Sequence, residues 1–70
     1  MNTKKIKIDS EFIKLDQLLK YASLVQSGAE AKMLINDEQI IVNGEICTMR
    51  GKKLRPGDTI EFEDQKIIIE

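Results

Sequence analysis

The sequence predicts an α+β fold, with two short antiparallel helices packed on a small twisted, mostly antiparallel sheet of about four to five strands. Three observations carry this expectation. Ser27-Gly28-Ala29-Glu30 has the form of a capping box ahead of a helical apolar stripe. Asn43-Gly44 separates two apolar runs and supplies the positive backbone angles that a two-residue hairpin turn requires. Thr59-Ile60-Glu61-Phe62 alternates apolar and polar residues at the period of a half-buried strand.

In chain order, Lys5-Ile6-Lys7-Ile8-Asp9 alternates and predicts a short opening edge strand. After a turn at Asp9-Ser10-Glu11, Leu15, Leu18, Leu19 and Ala22 recur at helical spacing. They predict a first helix over roughly residues 14 to 23, with Phe12 and Ile13 extended before it or in its first turn. In the second helix Ser27 caps the third helical amide while Glu30 reaches back, and Ala31, Leu34 and Ile35 form the buried stripe. Asn36-Asp37-Glu38 ends it, because asparagine and aspartate tolerate the left-handed conformation common at helix stops.

Ile40-Ile41-Val42 and Glu45-Ile46-Cys47 are the arms of the Asn-Gly hairpin. The segment through Arg50, Lys52 and Lys53 reads as a basic loop closed by Arg55-Pro56-Gly57-Asp58, where Pro presets the second turn position and Gly the third. The strand Thr59–Phe62, a turn at Glu63-Asp64 and a last strand over Gln65–Glu70 complete the chain, with no repeat or linker dividing residues 1–70 into domains.

Composition removes several function classes. Seventy residues suit one domain near the lower size limit for a core without staples, and leave little room for a large active-site cleft. Cys47, the sole cysteine, has no internal disulfide partner, and the absence of histidine removes the common zinc ligand sets. No apolar run approaches the ~18 residues of a membrane span, and the first residues do not form a signal peptide, so a cytoplasmic protein is expected. Asp16 and Glu30 lack an accompanying histidine, nucleophile or glycine-rich phosphate loop, and Glu30 already serves the cap. No catalysis, cofactor, metal or small-molecule substrate is expected.

The net charge of -1 hides an uneven distribution. Residues 1–55 carry ten Lys or Arg against seven acids, whereas residues 56–70 carry only Lys66 against Asp58, Glu61, Glu63, Asp64 and Glu70. A basic surface is thereby masked by an acidic final segment. The cations of Arg50, Lys52, Lys53 and Arg55 have no packing purpose in a compact fold.

Lys14-Leu15-Asp16, the run Ser27 through Ile35, Ile40 through Gly44, and Leu54 through Asp58 together resemble the S-four RNA-binding domain, or alpha-L motif, over about residues 12 to 62. Thr48 through Leu54 resembles the small stand-alone members of the YaaA/YbcJ type. The resemblance implies a monomeric, non-catalytic protein that binds structured RNA through backbone and shape. Ribosomal RNA or a ribosomal subunit in ribosome assembly is the favoured partner, with tRNA the alternative. Positions matching the family's RNA-facing surface are Lys14 and Gln17, Ser27, Gly28 and Lys32, then Arg50, Lys52 and Lys53, which Arg55 extends. Arg50 is expected to make the strongest single contact, since a guanidinium forks two hydrogen bonds onto one phosphate.

Two positions depart from the family pattern. Gly28 stands where many members have arginine after the serine, so the helix start offers bare amides in place of a guanidinium. Glu38 stands where glycine is common. Among the few aromatics, Phe12 and Phe62 are expected in the core, and packing is preferred over an exposed platform for Tyr21, which favours shape over base readout.

Plainer readings compete. Lys14, Lys32 and the loop cations are also what a solvated face looks like, and Lys20 is read that way. Cys47 is read as a small core residue. A second function class is a protein-interaction adaptor, pairing through the edge of the last strand, or a ubiquitin-like carrier module. Ile67-Ile68-Ile69-Glu70 lacks the Gly-Gly tail that carrier chemistry uses.

Overall fold

The computed structural model describes residues 2–70, and Met1 lies outside them. Each helix begins and ends where its backbone polar groups find partners. The first, α1 (Leu15–Tyr21), follows a two-residue strand β2 (Ile13–Lys14), so Phe12 and Ile13 are not part of it. The second, α2 (Gly28–Asn36), is capped by Ser27, whose hydroxyl accepts from the Glu30 amide at 3.2 Å. Glu30 does reach back, but its carboxylate accepts from the Gln26 amide at 3.1 Å, one residue ahead of the cap.

Both helices close in the same way. At the end of α1 the Ser23 amide donates to Lys20 and the Leu24 amide to Leu19, with Ser23 at φ 60. At the end of α2 the Glu38 amide donates to Ile35 and the Gln39 amide to Leu34, with Glu38 at φ 61. These are paired Schellman bonds around a left-handed residue, built without glycine. The left-handed position after α2 is therefore Glu38, whereas Asp37 keeps φ -85. A side chain there opposes the Cβ and carbonyl sterics that favour glycine.

The remaining strands are β1 (Asn2–Ile6), β3 (Ile41–Val42), β4 (Glu45–Ile46), β5 (Lys53–Leu54), β6 (Thr59–Phe62) and β7 (Gln65–Ile69). Five form one sheet in the order β1-β7-β6-β3-β4, and β2 pairs with β5 in a separate two-stranded sheet. The pairs are antiparallel except β1 with β7, where Asn2 lies opposite Gln65 and Ile6 opposite Ile69. The opening strand thus runs earlier than its alternation suggests, over Asn2–Ile6 and not Lys5–Asp9, because its partner is β7. Ile6 and Ile8 are nevertheless both buried, as that alternation requires. The last strand has no free edge, since β1 and β6 flank it, which removes the edge-pairing route for an adaptor.

The two turns expected from Asn-Gly and Arg-Pro-Gly-Asp are present. Asn43 and Gly44 adopt φ 52 and 87, and Gly57 adopts φ 100 while the Asp58 amide donates to the Arg55 carbonyl. One core joins the elements: Leu15, Leu18 and Leu19 of α1, Ala31 and Ile35 of α2, Ile40, Leu54, and Ile60, Ile67 and Ile69 of the sheet. Phe62 is only partly buried against this cluster, Cys47 is half-buried at its margin, and Phe12 lies outside it.

The helix ends lead to two expected outcomes in urea denaturation followed by far-ultraviolet circular dichroism. Ser27→Ala lowers the unfolding free energy by about 1 kcal/mol through loss of the cap. Glu38→Gly raises it by about 0.5 to 1 kcal/mol by relieving the left-handed residue, net of glycine's greater unfolded entropy.

Candidate nucleic-acid interface

The cations cluster because the main chain between β4 and β6 folds onto the start of α1. The Leu15 amide donates to the Lys52 carbonyl at 2.9 Å, and the Asp16 amide donates to the Arg50 carbonyl at 3.2 Å. The Gln17 amide donates to the Asp16 carboxylate at 2.8 Å. The first three amides of α1, ordinarily left open at a helix start, are thus all occupied. This explains why Lys14 holds the N-cap position without a side-chain capping bond. Its side chain is free for other uses.

A short ladder continues the same junction. Lys14 lies opposite Lys53 and Ile13 opposite Leu54 in the β2–β5 pair. Part of the expected basic loop is therefore strand, and its turn is at Arg50 and Gly51, closed by the Lys52 amide donating to Met49 at 3.1 Å. Leu54 is fully buried, which anchors the strand and leaves Lys53 and Arg55 exposed on either side. The Lys53 ammonium lies 4.9 Å from the centroid of the Phe12 ring, a cation–π contact that gives half-buried Phe12 a role outside the core.

Arg55 is fixed by a polar clamp between the two turns. Its amide donates to one oxygen of Asp58 at 2.8 Å, and the Asn43 side-chain amide donates to the other at 3.1 Å. The Asn43 side-chain carbonyl accepts from the Thr59 amide at 2.9 Å, and the Asn43 main-chain amide returns a bond to the Thr59 carbonyl at 2.8 Å. Asp58 is thus committed to structure, although it stands beside the basic segment in sequence.

Lys14, Gln17, Arg50, Lys52 and Lys53 gather at the α1 junction, and Arg55 follows just past β5. Ser27, Gly28 and Lys32 ride on α2, which packs against α1. All nine are exposed. Gly28 has open space around it, with nothing within 4 Å of the position a Cβ would take.

Some neighbouring features carry no clear sequence signal. An open cavity of about 420 Å³ borders the strip, sharing Lys52 with Val42, Ile46, Cys47 and Met49. Ile46 and Met49 are 58% and 64% exposed beside it. Tyr21 is not packed as its sequence position suggests: it is 58% exposed, and its hydroxyl donates to the Lys7 carbonyl at 3.4 Å. Alternation places Ile46 on an apolar position of its strand, but residue spacing does not reveal that nothing covers it or Tyr21.

Among the described residues, no group of three or more His, Cys, Asp or Glu could hold a metal ion, and no helix is long and apolar enough to cross a membrane.

Comparison with known proteins gives one family model, described as S4 domain, that matches residues 6–70. This extends the resemblance beyond the 12–62 core of the sequence pattern. The chain is 45% identical over 58 residues to the probable ribosome maturation protein RlbA of Bacillus subtilis, covering 83% of this chain and 82% of that protein. It is 33% identical over 51 residues to the small ribosomal subunit protein uS4m of Dictyostelium discoideum, covering 73% of this chain but 17% of that protein. Against the small ribosomal subunit protein uS4 of Coxiella burnetii (strain RSA 493 / Nine Mile phase I) it is 33% identical over 52 residues, covering 74% and 25% respectively.

The clamp makes a testable demand. Asn43→Ala removes several hydrogen bonds and a residue type suited to positive φ, and lowers stability by about 2 kcal/mol. In a thermal melt this reads as a fall in Tm of roughly 10 °C.

Proposed function

The chain belongs to the S4 domain family, and from that premise we propose that it is a non-catalytic RNA-binding protein holding structured RNA by backbone and shape. Ribosomal RNA during ribosome assembly is the favoured ligand. The observation that carries this reading is the junction at the start of α1, where Lys14 faces Lys53 across a two-residue ladder and the Arg50 and Lys52 main chain is bonded to the helix. Like charges placed directly opposite destabilise a strand pair. A polyanion laid across them turns that repulsion into attraction and releases its own counterions.

Within this proposal each residue has a role. Arg50 forks onto a phosphate, Lys14, Lys52 and Lys53 act as point charges, and Arg55 extends the track past Leu54. Gln17 supplies a neutral side chain that hydrogen-bonds phosphate or ribose. On α2, the open surroundings of Gly28 admit a phosphate to the helix amides beside Ser27, and Lys32 stands one turn on. The ribosomal setting rests on the relatives, whose names refer to ribosome maturation and to the small ribosomal subunit. The protein acts as a single cytoplasmic domain and as a monomer, and transfer RNA is the competing ligand.

The test is a gel-shift or filter-binding assay with ribosomal RNA and total tRNA, using wild type beside an Arg50→Ala, Lys52→Ala, Lys53→Ala triple variant. Wild type binds with a log-log salt slope of about -3 to -4 if roughly four phosphates are neutralised. The triple variant binds weakly with a shallower slope. Salt-insensitive binding, or equal binding by the folded triple variant, overturns the proposal, and preference between the two RNAs decides which ligand class is held.

A further inference from the structure

We infer that Tyr21 is a stacking platform for an unpaired base of the bound RNA, so that the protein reads the junction where a structured RNA releases a single strand. The inference rests on the RNA-binding reading above and adds to it a contact outside the basic strip. Lys14, Gln17 and Tyr21 stand at positions i, i+3 and i+7, which places them along one side of α1 and its cap. All three are exposed. From Gln17 to Tyr21 the helix rises about 6 Å, the scale of one nucleotide in an extended strand. A strand leaving the strip at Lys14 and passing Gln17 therefore reaches Tyr21 next.

The ring is placed for that role. It is 58% exposed, whereas Phe12 and Phe62 are each half-buried. Its hydroxyl donates to the Lys7 carbonyl, so the far end of the ring is tethered while most of the residue stays in solvent. Lys7, whose main-chain carbonyl takes the tether, is itself exposed. An exposed aromatic face in line with a basic track is the arrangement that holds successive unpaired bases without reading their sequence. A tyrosine serving only to pack would lose far more of its surface.

The sequence provides a direct readout, because Tyr21 is the only tyrosine and there is no tryptophan. Intrinsic tyrosine fluorescence therefore reports on this position alone. Two RNA hairpins are titrated at low salt, one blunt and one carrying a short single-stranded adenosine overhang. The expected result is quenching by the overhang hairpin only, and tighter binding of it by about 5- to 100-fold. Tyr21→Ala abolishes that advantage without changing the affinity for the blunt hairpin, and Tyr21→Phe retains it. If both hairpins bind equally and neither quenches, the platform is overturned and the basic-strip reading stands. If neither hairpin binds wild type, both fall.

Discussion

The carbonyls of Arg50 and Lys52, accepting from the first two amides of α1, join what would otherwise be two unrelated parts of the molecule. A helix start needs acceptors, and most helices obtain one from a capping side chain. Here a distant stretch of main chain supplies them. With those amides satisfied, Lys14 need not turn back on its own helix, and the strip carrying Arg50, Lys52 and Lys53 has a fixed seat. The β2–β5 ladder and the buried Leu54 extend the same junction into the core. Charge is thus presented on a surface whose backbone is already hydrogen-bonded, so ligand binding need not order it.

The two helices differ in what they leave open. At α1 the positive end of the helix is shielded by carbonyls, so anion attraction there comes from side chains. At α2 the cap is local, made by Ser27 with Glu30 braced on Gln26, and Gly28 stands exposed beside it with open space where a side chain would be. One helix therefore carries cations at an end whose amides are taken by main-chain carbonyls, and the other a locally capped end with only Lys32 nearby on the helix. The clamp of Asn43, Asp58 and Thr59 between the two turns commits the Asp58 carboxylate beside Arg55 to structure.

Legibility in the sequence follows the range of the interaction. Ser27 as a cap, the Asn43-Gly44 turn and the Pro56-Gly57 turn all depend on bonds made within a few residues, and their residue types declare them. The shift of β1 depends on β7, far along the chain, and residues 2–6 carry no local mark of it. β5 is two residues long, too short for any alternation to register. Glu38 is harder still, because its φ of 61 is imposed by the helix end and its chemistry argues for the opposite. In the candidate site, the cations themselves were visible as residues without a packing purpose. Their seat on α1 was not, because main-chain bonds between distant segments leave no trace in side-chain identity. The exposure of Tyr21 is hidden for a related reason: helical spacing tells which side a residue faces, and only the neighbouring elements tell whether anything covers it.

The sheet order has a temporal consequence. β7 sits between β1 and β6, so β1 has no partner until β7 exists. During synthesis the helices and the Asn-Gly hairpin form from near neighbours, while residues 2–6 must wait for residues 65–69 to leave the ribosome. Ile67 and Ile69, fully or almost fully buried, arrive with that same strand. The nascent chain accordingly keeps part of its core open until residues 65–69 have emerged, and closure of the parallel pair is the event that seals it.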